Sequence, residues 1–207
     1  MRGGEGIASA VQYSFFIGAN ELVIPSFNSC EAKIHLIDQS LTLREISNYP
    51  FEGKVSFEVL SSSSNSLIVM KFFAPSWTIN HHLTLNGKDI PFTLEKGFLV
   101  SKLKLTKGSK VILTFDQRTG ATKMVNSKYP KAEYYTINYG PLLLGYDIMD
   151  KQSEFTCNKV PEIYRVGPRD WTIKESDIRL KTVYHLLDSS VAMKFGYCKQ
   201  ILFKIDK

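Results

Sequence analysis

Apolar and polar residues alternate along most of the first 150 residues of this chain. The pattern is clearest in the segment 54–59, where valine and phenylalanine alternate with lysine, serine and glutamate. Successive side chains of a β-strand point to opposite faces of the sheet, so a period of two predicts a strand with one buried face. By the same argument, Leu41, Leu43 and Ile46 are expected to lie on the apolar face of an earlier strand.

Turn residues cut this pattern into short strands. Asn86-Gly87 is the strongest of these signals, because both central residues of a type I′ turn need a positive φ, which Asn and Gly tolerate. Lys96-Gly97 and Lys107-Gly108 predict two further turns. Short strands with a turn signal about every 8–12 residues are typical of sandwiches and barrels. The chain is therefore predicted to be all-β, with an antiparallel, jelly-roll-like β-sandwich.

Two connections and the C-terminal part complete the predicted organisation. The polar run 61–66 is expected to join its flanking strands as a hairpin. The segment 134–147 is expected to be either a strand pair or one long strand broken at Gly140-Pro141. Because the alternation weakens after residue 150, we assign 1–150 to the sandwich. We assign 151–207 to an extension that either completes the same sandwich or forms a small β-module.

Composition agrees with a globular protein and argues against two classes of partner. The 207 residues are 43% hydrophobic and 22% charged, which is ordinary for folded domains with a core. The net charge of +6 comes from scattered lysines without a basic face or a known module, so no nucleic-acid partner is predicted. No apolar run approaches the ~18 residues that a bilayer span needs, so no membrane partner is predicted.

Cysteines and histidines do not form a recognisable metal motif. Cys30, Cys157 and Cys198 lie far apart without a CxxC pair. Each is expected to act as a small apolar residue. The alternative is that two of them form a disulfide, if the protein is exported. His81 and His82 are adjacent on a predicted strand, so their side chains point to opposite faces and cannot jointly hold one ion. No metal and no cofactor are predicted.

Carboxylates matter because glycoside hydrolysis uses one carboxyl as acid and a second as base or nucleophile. The acidic residues of this chain lie on alternating strands or turns with no convergent signature, and nucleophile motifs such as GxSxG are absent. No catalytic residue is therefore predicted, and a free-standing hydrolase with an unrecognised carboxylate pair is kept as an alternative. The carboxylates considered are Glu45, Glu52, Glu58, Asp116, Glu133 and Asp147.

Aromatic side chains supply a candidate ligand site. Aromatic rings have flat apolar faces that stack on the apolar faces of sugar rings. The chain contains 10 tyrosines and 2 tryptophans. The alternative is that these rings pack in the core. The predicted carbohydrate-binding residues are Trp77, Trp171, Tyr135 and Tyr139.

Five segments occur in an order that resembles a known family. Together with the tail 182–203, they resemble the β-rich C-terminal half of β-L-arabinofuranosidase-like glycoside hydrolases, glycoside hydrolase family 127 and its relatives. The likeness begins near Leu22 and extends over nearly the whole chain. The segments are NYPFEGKVSFEV (48–59), LIVMKFFAPSW (67–77), LTLNGKDI (83–90), GFLVSKLKLTKGSKVILTF (97–115) and YYTINYGPLLLGYD (134–147).

This chain also departs from the family pattern. It has Phe73-Ala74-Pro75 where the family usually has Arg-Ile-Pro, and Gly108-Ser109 where the family has Gly-Asp. The resemblance implies that catalysis resides in an N-terminal (α/α)6 barrel, with a Glu and a Cys and a zinc ion held by three Cys and that Glu. No part of this chain matches the barrel, and Cys30 does not match the catalytic cysteine. No catalytic residue is therefore carried over.

The resemblance implies an accessory domain. We expect a non-catalytic β-sandwich with a structural or assembly role, whose partner is the missing catalytic barrel domain or an upstream polypeptide. The alternative is a carbohydrate-binding module for plant or pectic glycans, and a homo-oligomer is a further partner to consider. No signal peptide is evident at the N-terminus. A periplasmic or secreted location is expected if the parent enzyme is exported.

Overall fold

The chain folds into two compact units. Within the described residues nearly all regular structure is β-strand, and no helix there is long and apolar enough to cross a bilayer. The units comprise residues 1–116 and 117–207. Each unit is described by itself. The computed structural model describes residues 13–124, 133–147, 156–174, 176–183 and 199–205.

The first unit is built from the strands β1 to β11, most of which are short. Their bounds are β1 Phe16–Ile17, β2 Glu21–Ile24, β3 Cys30–His35, β4 Ser40–Ser47, β5 Lys54–Ser62, β6 Leu67–Phe73, β7 Thr78–Leu85, β8 Lys88–Asp89, β9 Thr93–Glu95, β10 Phe98–Lys104 and β11 Lys110–Gln117.

These strands form two sheets that share one core. Sheet I has the order β1-β2-β6-β10-β9, and sheet II has the order β3-β4-β5-β11-β7-β8. The pairs β1–β2, β6–β10, β9–β10, β3–β4, β4–β5, β5–β11 and β7–β8 are antiparallel, and β2 pairs with β6 in parallel. Phe57 of sheet II and Phe72 of sheet I are both 0% exposed, and their ring centroids lie 5.3 Å apart. The predicted all-β sandwich is confirmed.

Alternation along β5 has the predicted phase. Val55, Phe57 and Val59 are buried, whereas the intervening side chains are at least partly exposed. The connection after this strand differs from the prediction. The segment 61–66 was expected to close a hairpin, but β5 pairs within sheet II and β6 pairs within sheet I. A polar connector serves equally well for a hairpin and for a crossing between sheets, so the residues alone do not distinguish the two.

The predicted turns are present in the structure. Asn86 and Gly87 have φ of 52° and 78° and form a two-residue loop between β7 and β8. Lys96 and Gly97 have φ of 49° and 81° and connect β9 to β10 in the same way. Positive φ at both loop residues is the requirement of a type I′ turn.

The second unit is built from the strands β12 to β20. Their bounds are β12 Thr119–Met124, β13 Glu133–Tyr139, β14 Leu142–Asp147, β15 Thr156–Cys157, β16 Ile163–Arg165, β17 Asp170–Ile173, β18 Arg179–Thr182, β19 Lys199–Gln200 and β20 Phe203–Ile205.

One sheet, called sheet III, links these strands. Its order is β15-β20-β13-β14-β18-β17-β16, with β12 paired to β13 and β19 paired to β14. Gly140 and Pro141 form the loop of the β13–β14 hairpin, so 134–147 is a strand pair. Strands after residue 151 pair with β13 and β14. The predicted division at residue 150 would cut through this sheet, and the break between units lies at residues 116 and 117.

Candidate functional site

Trp77 lies just before β7 and is held in a row of three aromatic rings. Its ring is half-buried and stands edge-on to Phe73, with the centroids 6.5 Å apart. Phe73 in turn contacts Phe98, the neighbouring residue on β10, at 5.9 Å. We call Trp77, Phe73 and Phe98 the aromatic row. Phe73 and Phe98 lie on the outward side of sheet I, because Phe72 and Leu99, their sequence neighbours, point into the core.

Tyr49 fixes the other side of the Trp77 ring. The indole Nε1–H donates to the Tyr49 hydroxyl at 3.4 Å. Tyr49 also packs edge-on against Phe27 at 5.6 Å and against Phe115 at 6.1 Å. Burial raises the pKa of the Tyr49 hydroxyl, and the Trp77 hydrogen bond acts in the opposite direction. Trp77 is therefore anchored to the aromatic part of the first unit's core, while part of its surface stays accessible.

His81 and His82 have different partners. The Nε2 atom of His81 lies 2.8 Å from the Thr78 hydroxyl, and partial burial lowers the pKa of this imidazole. The Nε2 atom of His82 lies 2.9 Å from a carboxylate oxygen of Asp89 across the β7–β8 hairpin. Among the described residues, no three His, Cys, Asp or Glu side chains are close enough together to hold a metal ion.

Glu45 is the carboxylate that the structure singles out. It is 1% exposed. Its Oε1 atom accepts a hydrogen bond of 2.9 Å from the Asn28 backbone N–H, and its Oε2 atom has no partner among the described residues. Burial disfavours the ionised form and raises the pKa of Glu45 to about 8, against the smaller opposing effect of the Asn28 bond. Burial and the nearby Glu45 also raise the pKa of Cys30, which faces Glu45 on β3.

The inward position of Glu45 corrects a detail of the predicted pattern. Ile46 was expected to share the apolar face of β4 with Leu41 and Leu43, but Ile46 is 56% exposed and Glu45 takes the inward place. Strict alternation from Leu41 and Leu43 leads to residue 45, not to residue 46. The alternation alone therefore predicts that the side chain of residue 45 points inward. Ile46 was chosen instead because its side chain is hydrophobic and that of Glu45 is not.

Trp171 and Tyr139 form the centre of the second unit's core. Trp171 is 0% exposed and Tyr139 is 9% exposed, with ring centroids 5.1 Å apart. The Arg165 guanidinium lies over both rings, 5.3 Å and 5.9 Å from their centroids, and donates to the Tyr139 hydroxyl at 3.2 Å. A ring enclosed in this way has no free face for a sugar. These two predicted binding residues therefore act in packing.

The four predicted binding residues are divided between the two units. Tyr135 is half-buried on β13, Trp171 and Tyr139 are enclosed in the core of the same unit, and Trp77 belongs to the other unit. Carbohydrate binding by Trp77 or Tyr135 stays a prediction.

The outward faces of the two sheets of the first unit differ in chemistry. On sheet I, a groove of about 570 Å³ is lined by the apolar residues Val23, Phe98 and Val100 and by the charged residues Glu21, Lys71, Glu95 and Lys96. It also contains the Lys71–Glu21 ion pair, whose Nζ and Oε2 atoms lie 2.8 Å apart. On sheet II, by contrast, Arg44 stands between two glutamates in exposed ion pairs of 3.3 Å and 3.6 Å. The outer face of sheet I therefore combines a cluster of apolar side chains with charged groups.

These features define an all-β protein with two hydrophobic cores. Within the described ranges no group of His, Cys, Asp and Glu side chains could hold a metal ion. Residues 21–117 match the family model described as Beta-L-arabinofuranosidase, GH127 middle domain. This stretch, which covers the sandwich of the first unit, is therefore similar to the middle domain of that family, and the resemblance found in the sequence is confirmed. No curated protein matches the chain.

Solved structures of similar fold include two that are described as GH127 enzymes. The chain is similar to a GH127 beta-L-arabinofuranosidase from Geobacillus stearothermophilus T6, with 14% identity, a TM-score of 0.70 and coverage of 97% of this chain and 36% of that one. It is also similar to a GH127 beta-arabinofuranosidase, with 16% identity, a TM-score of 0.72 and coverage of 97% and 37%. A third chain, described as a glycoside hydrolase, has 14% identity, a TM-score of 0.71 and coverage of 98% and 38%.

At such low sequence identity, these structural matches show a shared fold and nothing about activity. The chain spans between 36% and 38% of the length of these solved chains.

Proposed function

We propose that this chain is a non-catalytic accessory β-region of a GH127-type glycoside hydrolase, and that it supports a catalytic domain carried on other residues. The observation behind the proposal is the share of each chain that aligns with the other. Nearly all of this chain, 97%, aligns with only 36% of a solved β-L-arabinofuranosidase. The aligned part contains the stretch that matches the family's middle-domain model.

The state of the described carboxylates supports a non-catalytic role. Glycoside hydrolysis needs two carboxyl groups that face one substrate from opposite sides. Glu45 is enclosed beneath sheet II. Glu58 is paired with Arg44 on the surface of sheet II, and Glu133 is paired with Lys123 in the second unit. These carboxylates therefore serve packing and surface ion pairs.

The outer face of sheet I is the surface that we assign to the catalytic domain. An exposed apolar area on a sheet face is stabilised when another domain covers it. Phe73 and Phe98 provide two rings on this face, and Phe16 adds a further ring that is 48% exposed. The Lys71–Glu21 pair at its centre supplies polar groups that can hydrogen-bond across such an interface.

Activity of the chain by itself tests the non-catalytic part of this proposal. The purified chain is incubated with a chromogenic β-L-arabinofuranoside, and release of the chromophore is followed. We expect turnover equal to that of buffer. Turnover clearly above buffer would overturn the proposal and favour the free-standing hydrolase.

Binding to the catalytic domain tests the assigned surface. The chain is mixed with the barrel polypeptide of the same enzyme, and the complex is followed by size-exclusion chromatography and calorimetry. We expect Phe98→Ser to weaken the complex at least about tenfold, because it removes a ring from the interface. The control is Ile46→Ser, which removes an exposed apolar side chain from sheet II. Equal effects of both variants would refute the surface assignment.

A further inference from the structure

The second unit contains a groove that the proposed function does not use. Its volume is about 290 Å³, and it is lined by the start of β12, residues 119–121, and by the segment 160–164 that leads into β16. Strand β16 ends the order of sheet III. Gly120 has open space where a side chain would be, so a ligand can approach the backbone closely at this point.

Tyr164 supplies an aromatic wall to this groove. The side chain is 46% exposed, although the residue is held in the regular β16–β17 ladder opposite Thr172. Its hydroxyl donates to the Glu162 carboxylate at 3.3 Å. The ring is therefore exposed and at the same time oriented, which distinguishes it from the enclosed Trp171.

Glu162 supplies the polar side of the groove. Besides the Tyr164 hydroxyl, its Oε2 atom accepts a hydrogen bond of 3.0 Å from the Lys174 ammonium. These interactions, the Lys174 bond first, lower the pKa of Glu162, and the same ion pair raises the pKa of Lys174. An exposed carboxylate and an exposed ammonium thus form an ion pair beside the ring, with opposite charges that offset each other.

This combination favours one ligand chemistry over the others. A charged ligand gains little, because the two charges offset each other. An apolar ligand would strip water from the ion pair without replacing its hydrogen bonds. A neutral polyhydroxylated ligand can donate to the carboxylate, accept from the ammonium and place an apolar ring face on the tyrosine.

We propose that this groove binds a neutral glycosyl residue, with Tyr164 as the stacking platform and Glu162 and Lys174 as hydrogen-bonding groups. The site differs from the aromatic set predicted from the sequence, and it lies in the unit that does not carry the proposed docking surface. It can therefore be tested without the catalytic domain.

The test is a titration of the full chain with L-arabinose, D-galactose and a neutral arabino-oligosaccharide, followed by calorimetry and by NMR chemical shifts. We expect at least one of these sugars to bind with a Kd of about 10 mM or tighter. The shifts should map to residues 119–121 and 160–164. D-galacturonic acid, which carries a negative charge, should bind no better than D-galactose.

Three variants identify the binding groups. Tyr164→Ala should weaken binding at least about tenfold, because it removes the stacking face. Tyr164→Phe keeps the ring and should stay within about threefold of the wild type. Tyr13→Ala removes a tyrosine that is 57% exposed in the first unit and should have no effect. Urea unfolding of each variant shows that the fold is retained.

Several outcomes would overturn the proposal. One is that no neutral sugar binds at about 50 mM, which lies well above the expected Kd. Another is that binding is unchanged in Tyr164→Ala, or that Tyr13→Ala weakens it equally. Preferential binding of galacturonic acid would show that charge, and not stacking, governs the groove. None of these results bears on the accessory role, which the activity and docking experiments test.

Discussion

The Oε1 atom of Glu45 accepts a hydrogen bond of 2.9 Å from the backbone N–H of Asn28. This bond ties the segment between β2 and β3 to the buried side of β4. One hydrogen bond does not replace the hydration of an ionised carboxylate, and the Oε2 atom has no partner among the described residues. The neutral form is therefore the one that suits the fold, and the pKa rises to about 8.

Stability of the first unit is predicted to fall as the pH rises from about 5 to 8. The unfolded chain loses the Glu45 proton near the ordinary pKa of 4.5, whereas the folded chain keeps it up to about 8. Between these values the unfolded state binds fewer protons. The free energy of unfolding therefore decreases, by at most about 1.4 kcal/mol per pH unit. Urea unfolding at pH 5 and pH 8 measures the change.

Two substitutions isolate the contribution of Glu45 from that of other titrating groups. Glu45→Gln keeps an acceptor for the Asn28 N–H but cannot ionise, so its stability should fall less between pH 5 and pH 8. Glu58→Gln removes an exposed carboxylate from the neighbouring strand and should retain the wild-type dependence. The same pH dependence in wild type and Glu45→Gln would show that Glu45 ionises freely in the folded chain.

Gly53→Ala is predicted to destabilise the first unit strongly. A Cβ atom at residue 53 would lie 1.8 Å from the carbonyl oxygen of Phe115, which is backbone and cannot rotate away. Gly53 also accepts a backbone hydrogen bond from the Phe115 N–H at 2.8 Å, so the two strands would have to separate. We expect a loss of about 3 kcal/mol or more in the free energy of unfolding, measured by urea denaturation.

Gly87→Ala is the comparison for that experiment. Gly87 has a φ of 78° and no atom within 4 Å of its Cβ position. The cost should therefore come only from the left-handed backbone conformation, about 1 kcal/mol. Equal losses for both variants would mean that the close approach at Gly53 relaxes easily.

Tyr49→Phe is predicted to destabilise the first unit by about 0.5–1.5 kcal/mol, because it leaves the Trp77 Nε1–H without its acceptor. The ring contacts with Phe27 and Phe115 are retained, so the loss reports the hydrogen bond. Denaturant unfolding gives the size of the effect. Tyr13→Phe, at an exposed position, should be neutral, and a neutral Tyr49→Phe would indicate that water satisfies the indole.

Arg165→Lys is predicted to destabilise the second unit by about 1–2 kcal/mol. The guanidinium donates to the Tyr139 hydroxyl and to the carbonyls of Gly167 and Pro168. A lysine cannot reproduce this planar set while lying over the Trp171 ring. Unfolding is followed by Trp171 fluorescence in a Trp77→Phe background. Arg44→Lys, in an exposed pair, should change stability by less than about 0.5 kcal/mol.

Much of the architecture could be predicted from local pattern. The alternation of Val55, Phe57 and Val59 and the turn at Asn86-Gly87 depend on the pleat and on backbone φ, and both are properties of a few consecutive residues. Each motif of the family resemblance is likewise a short stretch of consecutive residues, so the resemblance could be found from the sequence. The connection 61–66 could not be assigned, because the choice between a hairpin and a sheet crossing depends on which distant strands pair.

The candidate sites were predicted less well. Trp171 and Trp77 have the same chemistry, but one is enclosed beneath Arg165 and the other is half-exposed beside Tyr49. Side-chain type cannot separate these outcomes, because burial depends on neighbours that are remote in sequence. The pairing of Glu162 with Lys174 joins two residues that flank the β16–β17 hairpin, and it depends on how these two strands pair.

The sequence by itself determined the all-β class, the phase of β5, the hairpin turns and the family resemblance, since each of these follows from local periodicity or from motif order. Only the tertiary structure decided which aromatic rings remain accessible and where the chain divides into units. It also decided that the Glu45 carboxyl is enclosed and that Tyr164 and Glu162 line one groove. These properties depend on long-range packing, which places chemically identical side chains in different surroundings.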